Sequence, residues 1–248
     1  MFINNGIIPT PERIIVYGPE GIGKSTIASN FPNPLFIDVE NSTSELNVAR
    51  FDTIPKDWSS FVEMVLYVKE HPDICDTLVI DSLDWTEKLC IKHICESSGK
   101  ESIGDFAYGA GYTRLADEIQ KMLSVLSEIT ECGIHIVMTA HSMIRKFERP
   151  EESGAYDRFE LKLEKKTAPL YKEWATMLLF CDYETNVVLD SNNKAKARGG
   201  DRVIHTCHHP CWDAKNRKNM PEKLPLSYDS LAPYIYNSNK NHMEVNND

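Results

Sequence analysis

One segment restricts the folds open to this chain more than any other: Gly18-Pro19-Glu20-Gly21-Ile22-Gly23-Lys24-Ser25-Thr26. It fits the spacing G-x-x-x-x-G-K-[ST] and sits in the context that spacing needs. Arg13–Tyr17 (RIIVY) before it is apolar and β-branched, so it reads as a buried strand. Lys24–Asn30 after it reads as a helix that stops before Pro32. Glycines let the loop curl so that its backbone N–H groups point inward at phosphate oxygens, and the helix N-terminus adds the positive end of its dipole. The expectation is that Gly18–Thr26 holds the phosphates of ATP. Lys24 then neutralises the β- and γ-phosphates, and Ser25 ligates Mg2+.

The rest of the chain alternates strands and helices. Leu35–Val39 and Thr77–Asp81 read as strands, Asp57–Glu70 and Leu83–Glu96 as helices, and Ile134–Thr139 as a fourth buried strand. Tyr112, Leu115, Ile119, Met122, Leu126 and Ile129 recur at steps of three and four, which predicts an amphipathic helix over 111–131. This order implies an α/β fold with a mainly parallel sheet flanked by helices. Asp81 ends a strand, where its carboxylate is expected beside the metal with Ser25.

After His141 the texture changes. Residues 142–165 are polar and read as a long loop or hairpin, 166–176 as a helix and Met177–Tyr183 as a strand. Asn186–Asp190 and Arg202–Cys207 are expected to flank a Lys-, Arg- and Gly-rich loop, forming a C-terminal β-hairpin extension. The expected organisation is one domain over 1–236, with a core at 11–183, C-terminal strands at 184–236 and a disordered tail at 237–248.

Seven cysteines, an odd number and mostly in apolar runs, suit reduced thiols and a cytoplasmic setting. No apolar run is long enough for a membrane helix, and the first residues do not form a secretory signal. The net charge of −10 does not advertise nucleic-acid binding, but it is uneven. Residues 1–140 hold 10 Lys and Arg against 21 Asp and Glu, and the remainder holds 17 against 16. Basic residues cluster at 145–149, 162–166, 194–202 and 215–223, as solvated loops or as local phosphate contacts. Phe147, Tyr156 and Phe159 lie among Arg145, Lys146, Arg149 and Arg158, a mixture that fits either single-stranded DNA contact or a hairpin packed on the core. His205, Cys207, His208, His209 and Cys211 are too crowded, without a second ligand pair, to suggest zinc. The four tryptophans read as core or groove residues.

Hydrolysis needs a group to orient or deprotonate water. Ser82 follows Asp81, so no glutamate stands there, whereas Glu40 ends the neighbouring strand, with Asp38 and Asp84 as weaker candidates. The segments GPEGIGKST and FIDVE resemble RecA-type recombinase ATPases, in which the equivalent glutamate activates water. By the same resemblance His141, ending IHIVMTAH, would sense the γ-phosphate and pass its state to an adjoining DNA-binding loop. Lys215 and Arg217 in DAKNR resemble an element that reaches a neighbouring subunit's γ-phosphate, with Lys196 and Arg198 as rivals.

The chain also resembles a group of phage RecA-like ATPases with an AAA-type domain, some of them annealing proteins or recombinases. PLFIDVE, TLVIDSLDW, FAYGAGY, TAHS, YDRFELKLEKK, KEWA and KARGG carry that likeness over about residues 10–232. It implies a RecA-like core, an ATPase stimulated by single-stranded DNA, a homo-oligomer with active sites between subunits, and a phage single-strand-binding protein as a partner. A helicase or helicase-loader motor, and a regulatory or assembly switch without DNA activity, remain open.

Overall fold

The computed structural model describes residues 3, 5–6, 8–148, 154–189 and 195–235, and no side chains at 185–189 or 195–198. The expected tail at 237–248 lies outside them. The phosphate-loop strand β1 (Arg13–Gly18) is flanked by β5 (His135–Glu148) and β7 (Met177–Leu189), both parallel to it. Beyond β5 lie β4 (Thr77–Asp81), β2 (Pro34–Asp38) and the two-residue edge strand β3 (Ala49–Arg50), all parallel. On the other side β7 pairs with β8 (Ala195–His205), and β8 with β9 (Lys223–Pro225), both antiparallel. One strand thus separates β1 from the Asp81 strand, in the expected α/β layout with a mainly parallel sheet flanked by helices.

Alternation along the strands builds two cores. Ile14 and Val16 face α1 (Lys24–Ala28), while Ile15 and Tyr17 face the opposite layer. That layer holds α2 (Trp58–Glu70), α3 (Leu83–Ser97), α4 (Ala110–Glu131) and α5 (Ala168–Trp174). Asp57 caps α2 by accepting from the Ser60 backbone, and Ser60 returns a bond to the Asp57 N–H. The periodic stripe of α4 is buried through Leu115, Ile119, Met122, Leu126 and Ile129. Each such side chain contributes about 1.5–3 kcal/mol by leaving water.

One expectation is met and another needs correction. The 142–165 stretch takes the hairpin form of the two expected. β5 runs on past the core for 14 residues in all and pairs with β6 (Ala155–Leu161), from Ser142↔Leu161 to Glu148↔Ala155. The correction falls on the expected Lys-, Arg- and Gly-rich loop, of which residues 195–201 belong to β8, with Gly199 and Gly200 inside the strand rather than in a turn. At Gly200 a Cβ would sit 2.7 Å from the Glu184 carbonyl, next to a register shift between Tyr183 and Thr185. The close approach, not a turn, explains that glycine.

Candidate functional site

Parallel strands end on one edge, and the phosphate loop, Glu40, Asp81 and His141 meet there. The register places Gly18 opposite His141 and Asp38 opposite Asp81. Lys24, Ser25, Glu40, Asp81 and His141 line one cleft of about 330 Å³.

The loop is shaped by its glycines. A Cβ on Gly18 would lie 2.2 Å from the Cys181 carbonyl of β7, so no other residue lets β1 and β7 approach there. Gly23 has φ of 114°, which side-chain-bearing residues rarely adopt, and from it Lys24 begins α1. Lys24 Nζ donates to the carbonyls of Pro19 (2.8 Å) and Gly18 (3.2 Å). Burial lowers the ammonium from its usual range, while the negative groups around it, Asp81, Glu40 and Asp84 among them, work the other way. The basic group is therefore partly desolvated where phosphate charge would be most strongly felt.

Asp81 is buried at the end of β4, and its oxygens accept from the hydroxyls of Thr139 and of Ser42 (3.3 Å). These donors aim the carboxylate without adding a cation. With the Ser25 hydroxyl across the cleft, the oxygen donor set suits Mg2+.

Glu40, Ser82, Asp84 and His141 form a closed ring. Ser82 Oγ lies 3.1 Å from both Glu40 Oε2 and Asp84 Oδ1. His141 Nδ1 lies 3.0 Å from Asp84 Oδ2, and the His141 backbone N–H donates to Asp84 Oδ1. An acceptor at Nδ1 leaves Nε2 facing Glu40 Oε1 at 3.7 Å. Burial raises the Asp84 carboxyl, but the hydrogen bonds from His141 and Ser82 prevail and hold it below the usual range. Asp84 is only 4% exposed and committed to orienting His141. Asp38 is committed too: it accepts from Ser42 N, Thr43 N and Thr43 Oγ1 and folds the turn after β2. Of the three carboxylates considered for the water, Glu40 alone lines the cleft.

Lys215 and Arg217 are not brought to their own chain's phosphate loop. Lys215 pairs through its backbone with Leu178, which is in register with Ile15, and its Nζ donates to the Lys172 (2.6 Å) and Glu173 carbonyls ending α5. Burial lowers the Lys215 ammonium from its usual range, and the charges of Arg217 and Arg13 lower it further, so these cations gather at the start of β1. Lys196 and Arg198 have no described side chains.

The β5–β6 hairpin is less basic than its composition suggests. Arg158 is buried and bonded to Asp213, which also binds Lys172 at 2.5 Å. Arg145 donates to the Leu163 carbonyl at 2.7 Å. The exposed positions are Ile144, Lys146, Glu148, Ala155 and Asp157, a face of mixed charge. Arg149 lies outside the described residues. Trp58 is buried, while Trp174 and Trp212 donate their indole N–H groups inside the protein, so only Trp85 is notably exposed. No group of three or more His, Cys, Asp or Glu side chains poised for a metal occurs among the described residues, and all seven cysteines are free. No described helix is long and apolar enough to cross a membrane.

A second groove, of about 310 Å³, opens on the far side of the loop between Thr26, Asn30, Arg202 and Tyr228. Arg202 Nη1 donates to the Ile22 carbonyl at 3.2 Å, so β8 braces the phosphate loop from outside. Sequence reasoning missed Arg202 and Tyr228, which are nearly 180 residues or more from the loop in the chain and belong to no local motif. Another unforeseen group is Glu87 of α3, which accepts from Thr167 Oγ1 and Glu164 N; burial pushes its carboxyl up to about 7.

The AAA domain family matches residues 10–218. No curated protein matches the chain. Among solved structures it is similar to the flagellar accessory protein FlaH of Methanocaldococcus jannaschii, at 15% identity and a TM-score of 0.41, covering 93% of this chain and 84% of that one. It is also similar to the KaiC-like protein PH0186 of Pyrococcus horikoshii OT3, at 15% identity and a TM-score of 0.46, covering 88% and 86%.

Proposed function

Because this chain belongs to the AAA domain family, we propose that its cleft hydrolyses ATP and that the protein works on single-stranded DNA in phage recombination, by annealing or strand exchange. The observation that carries the hydrolytic half is the convergence of Lys24, Ser25, Glu40, Asp81 and His141 on one cleft. Ser25 and Asp81 would hold Mg2+, which would supply positive charge to offset that of the nucleotide phosphates. Lys24 supplies the fixed positive charge. Glu40 takes the proton of the attacking water, and Ser82 and His141 hold its carboxylate in place. Asp84 fixes the imidazole so that Nε2 faces the reacting end of the nucleotide.

The groove beside Thr26 receives the nucleoside. Tyr228→Leu is expected to weaken ATP and ADP equally, by about tenfold, since an aromatic ring stacked on a base contributes about 1–3 kcal/mol. Turnover at saturating ATP should stay unchanged. Fluorescent-nucleotide titration beside steady-state kinetics checks both parts, and unchanged affinities would move the base elsewhere.

The DNA half rests on the hairpin that leaves the site at His141. Replacing Arg145, Lys146 and Arg149 with Gln is expected to lower single-stranded DNA affinity and to flatten its salt dependence by about 0.7 per lost phosphate contact. A slope identical to wild type would shift the contact to 162–166 or remove DNA altogether. The mixed charge of the exposed hairpin face favours a second reading, an ATP-driven switch acting on a protein partner. Phosphate release with and without single-stranded DNA, alongside native mass, separates the two: stimulation supports the first and indifference the second. Assembly into a homo-oligomer, with Lys215 and Arg217 acting on a neighbour, belongs to the same proposal.

A further inference from the structure

Two chain segments join the β5–β6 hairpin to the phosphate site, and each ends in a group of basic chemistry. His141 is on the entering strand. Lys162 directly follows the returning strand, and its backbone N–H donates to the His141 carbonyl at 2.9 Å. Lys162 Nζ lies 3.9 Å from Glu20 Oε1, and Glu20 belongs to the phosphate loop and lines the cleft. Lys162 therefore reaches the loop from its own chain, while Lys215 is bonded to the end of α5.

We propose that Lys162 is a further catalytic cation, which leaves Glu20 to bind the terminal phosphate of a nucleoside triphosphate in the same subunit. The inference rests on the reading of the cleft as an ATP site. The Glu20–Lys162 pair is exposed on both sides, with 75% and 47% of the side chains accessible, so it holds Lys162 weakly. A terminal phosphate offers several anionic oxygens in place of one exposed carboxylate, and a lysine on a flexible stem can follow them. The Glu20 carboxyl is held below its usual range first by a backbone hydrogen bond and then by the charge of His141, with Lys162 and Lys24 contributing less. These basic groups thus already act on one point at the lip of the cleft. ADP lacks the oxygens Lys162 would reach, so the residue should separate triphosphate from diphosphate.

The test is kinetic. Lys162→Ala is expected to lower kcat by about 100-fold, the order seen when one donor to developing charge is removed. Affinity for ADP should stay at the wild-type value, which also reports an intact fold, while the preference for a nonhydrolysable ATP analogue over ADP falls about tenfold. Lys162→Arg should restore most of both. Mixing separates cis from trans action. Lys162→Ala mixed with Lys24→Ala should regain nothing, because no subunit then carries both groups, and recovery would overturn the same-subunit placement. Lys162→Ala protein with wild-type turnover and wild-type nucleotide preference overturns the role of Lys162 alone. Wild-type protein that hydrolyses no ATP overturns the reading of the cleft as well.

Discussion

Lys24→Ala is expected to abolish ATP hydrolysis, lowering phosphate release to background, and to weaken ATP binding. Lys24 is the basic side chain lining the cleft from inside the loop, and it is partly desolvated among Asp81, Glu40 and Asp84. In that setting a unit charge interacts several times more strongly than in water. Removing it leaves those carboxylates to repel the incoming phosphates. Fold should survive, because among the described residues the ammonium bonds to two backbone carbonyls, those of Gly18 and Pro19, and to no other element of the core. Isothermal titration with ATP and a phosphate-release assay on the same preparation check both parts. Wild-type affinity together with wild-type turnover would remove the phosphate-loop assignment.

The second large effect falls on the water. Glu40→Gln is expected to keep nucleotide binding and cut kcat by about 10²–10⁴, the usual contribution of a general base. The amide still accepts from Ser82 at the position of Oε2, so the geometry of the ring changes little while the basic group is lost. Asp84→Asn makes the informative contrast. It disturbs the partner of His141 Nδ1 and should lower turnover through the orientation of the imidazole, by less than Glu40→Gln does. If Asp84→Asn proves the more damaging and Glu40→Gln turns over normally, the base sits on α3 instead of at the end of β2.

Those two residues also show what could be read from sequence and what could not. Glu40 and Asp84 are both acidic groups just beyond strand ends, and nothing in their local sequence says which one faces the nucleotide. The distinction is tertiary: Asp84 is turned in toward the backbone and ring of His141, 57 residues away. The phosphate loop was legible because its chemistry is contiguous, and the α4 stripe because burial on one face imposes a period. The Gly199–Gly200 pair was misread because glycine marks turns and close approaches alike, and only the position of Glu184 decides between them. Arg202 and Tyr228 were invisible because residues that meet through a sheet's outer strands leave no spacing to recognise. The basic character of Arg145 and Arg158 was legible, but the bond of the half-buried Arg145 to Leu163 and the burial of Arg158 against Asp213 were not.

The continuity of β5 has a mechanical meaning. One uninterrupted strand forms the wall of the cleft at His141 and carries the hairpin to Glu148. Seven residues of strand span about 24 Å at about 3.4 Å per residue. With a fulcrum at His141, a tilt of about 5° would carry the far end of such a strand through about 2 Å. A strand of this kind would work as a lever whose inner end is in the wall of the cleft. The outer arm is stiffened by the β6 ladder and tethered midway along its length, where Arg158, opposite Arg145, is bonded to Asp213, so any displacement is gained at the tip beyond that point. Whatever the hairpin touches would be moved gently and far.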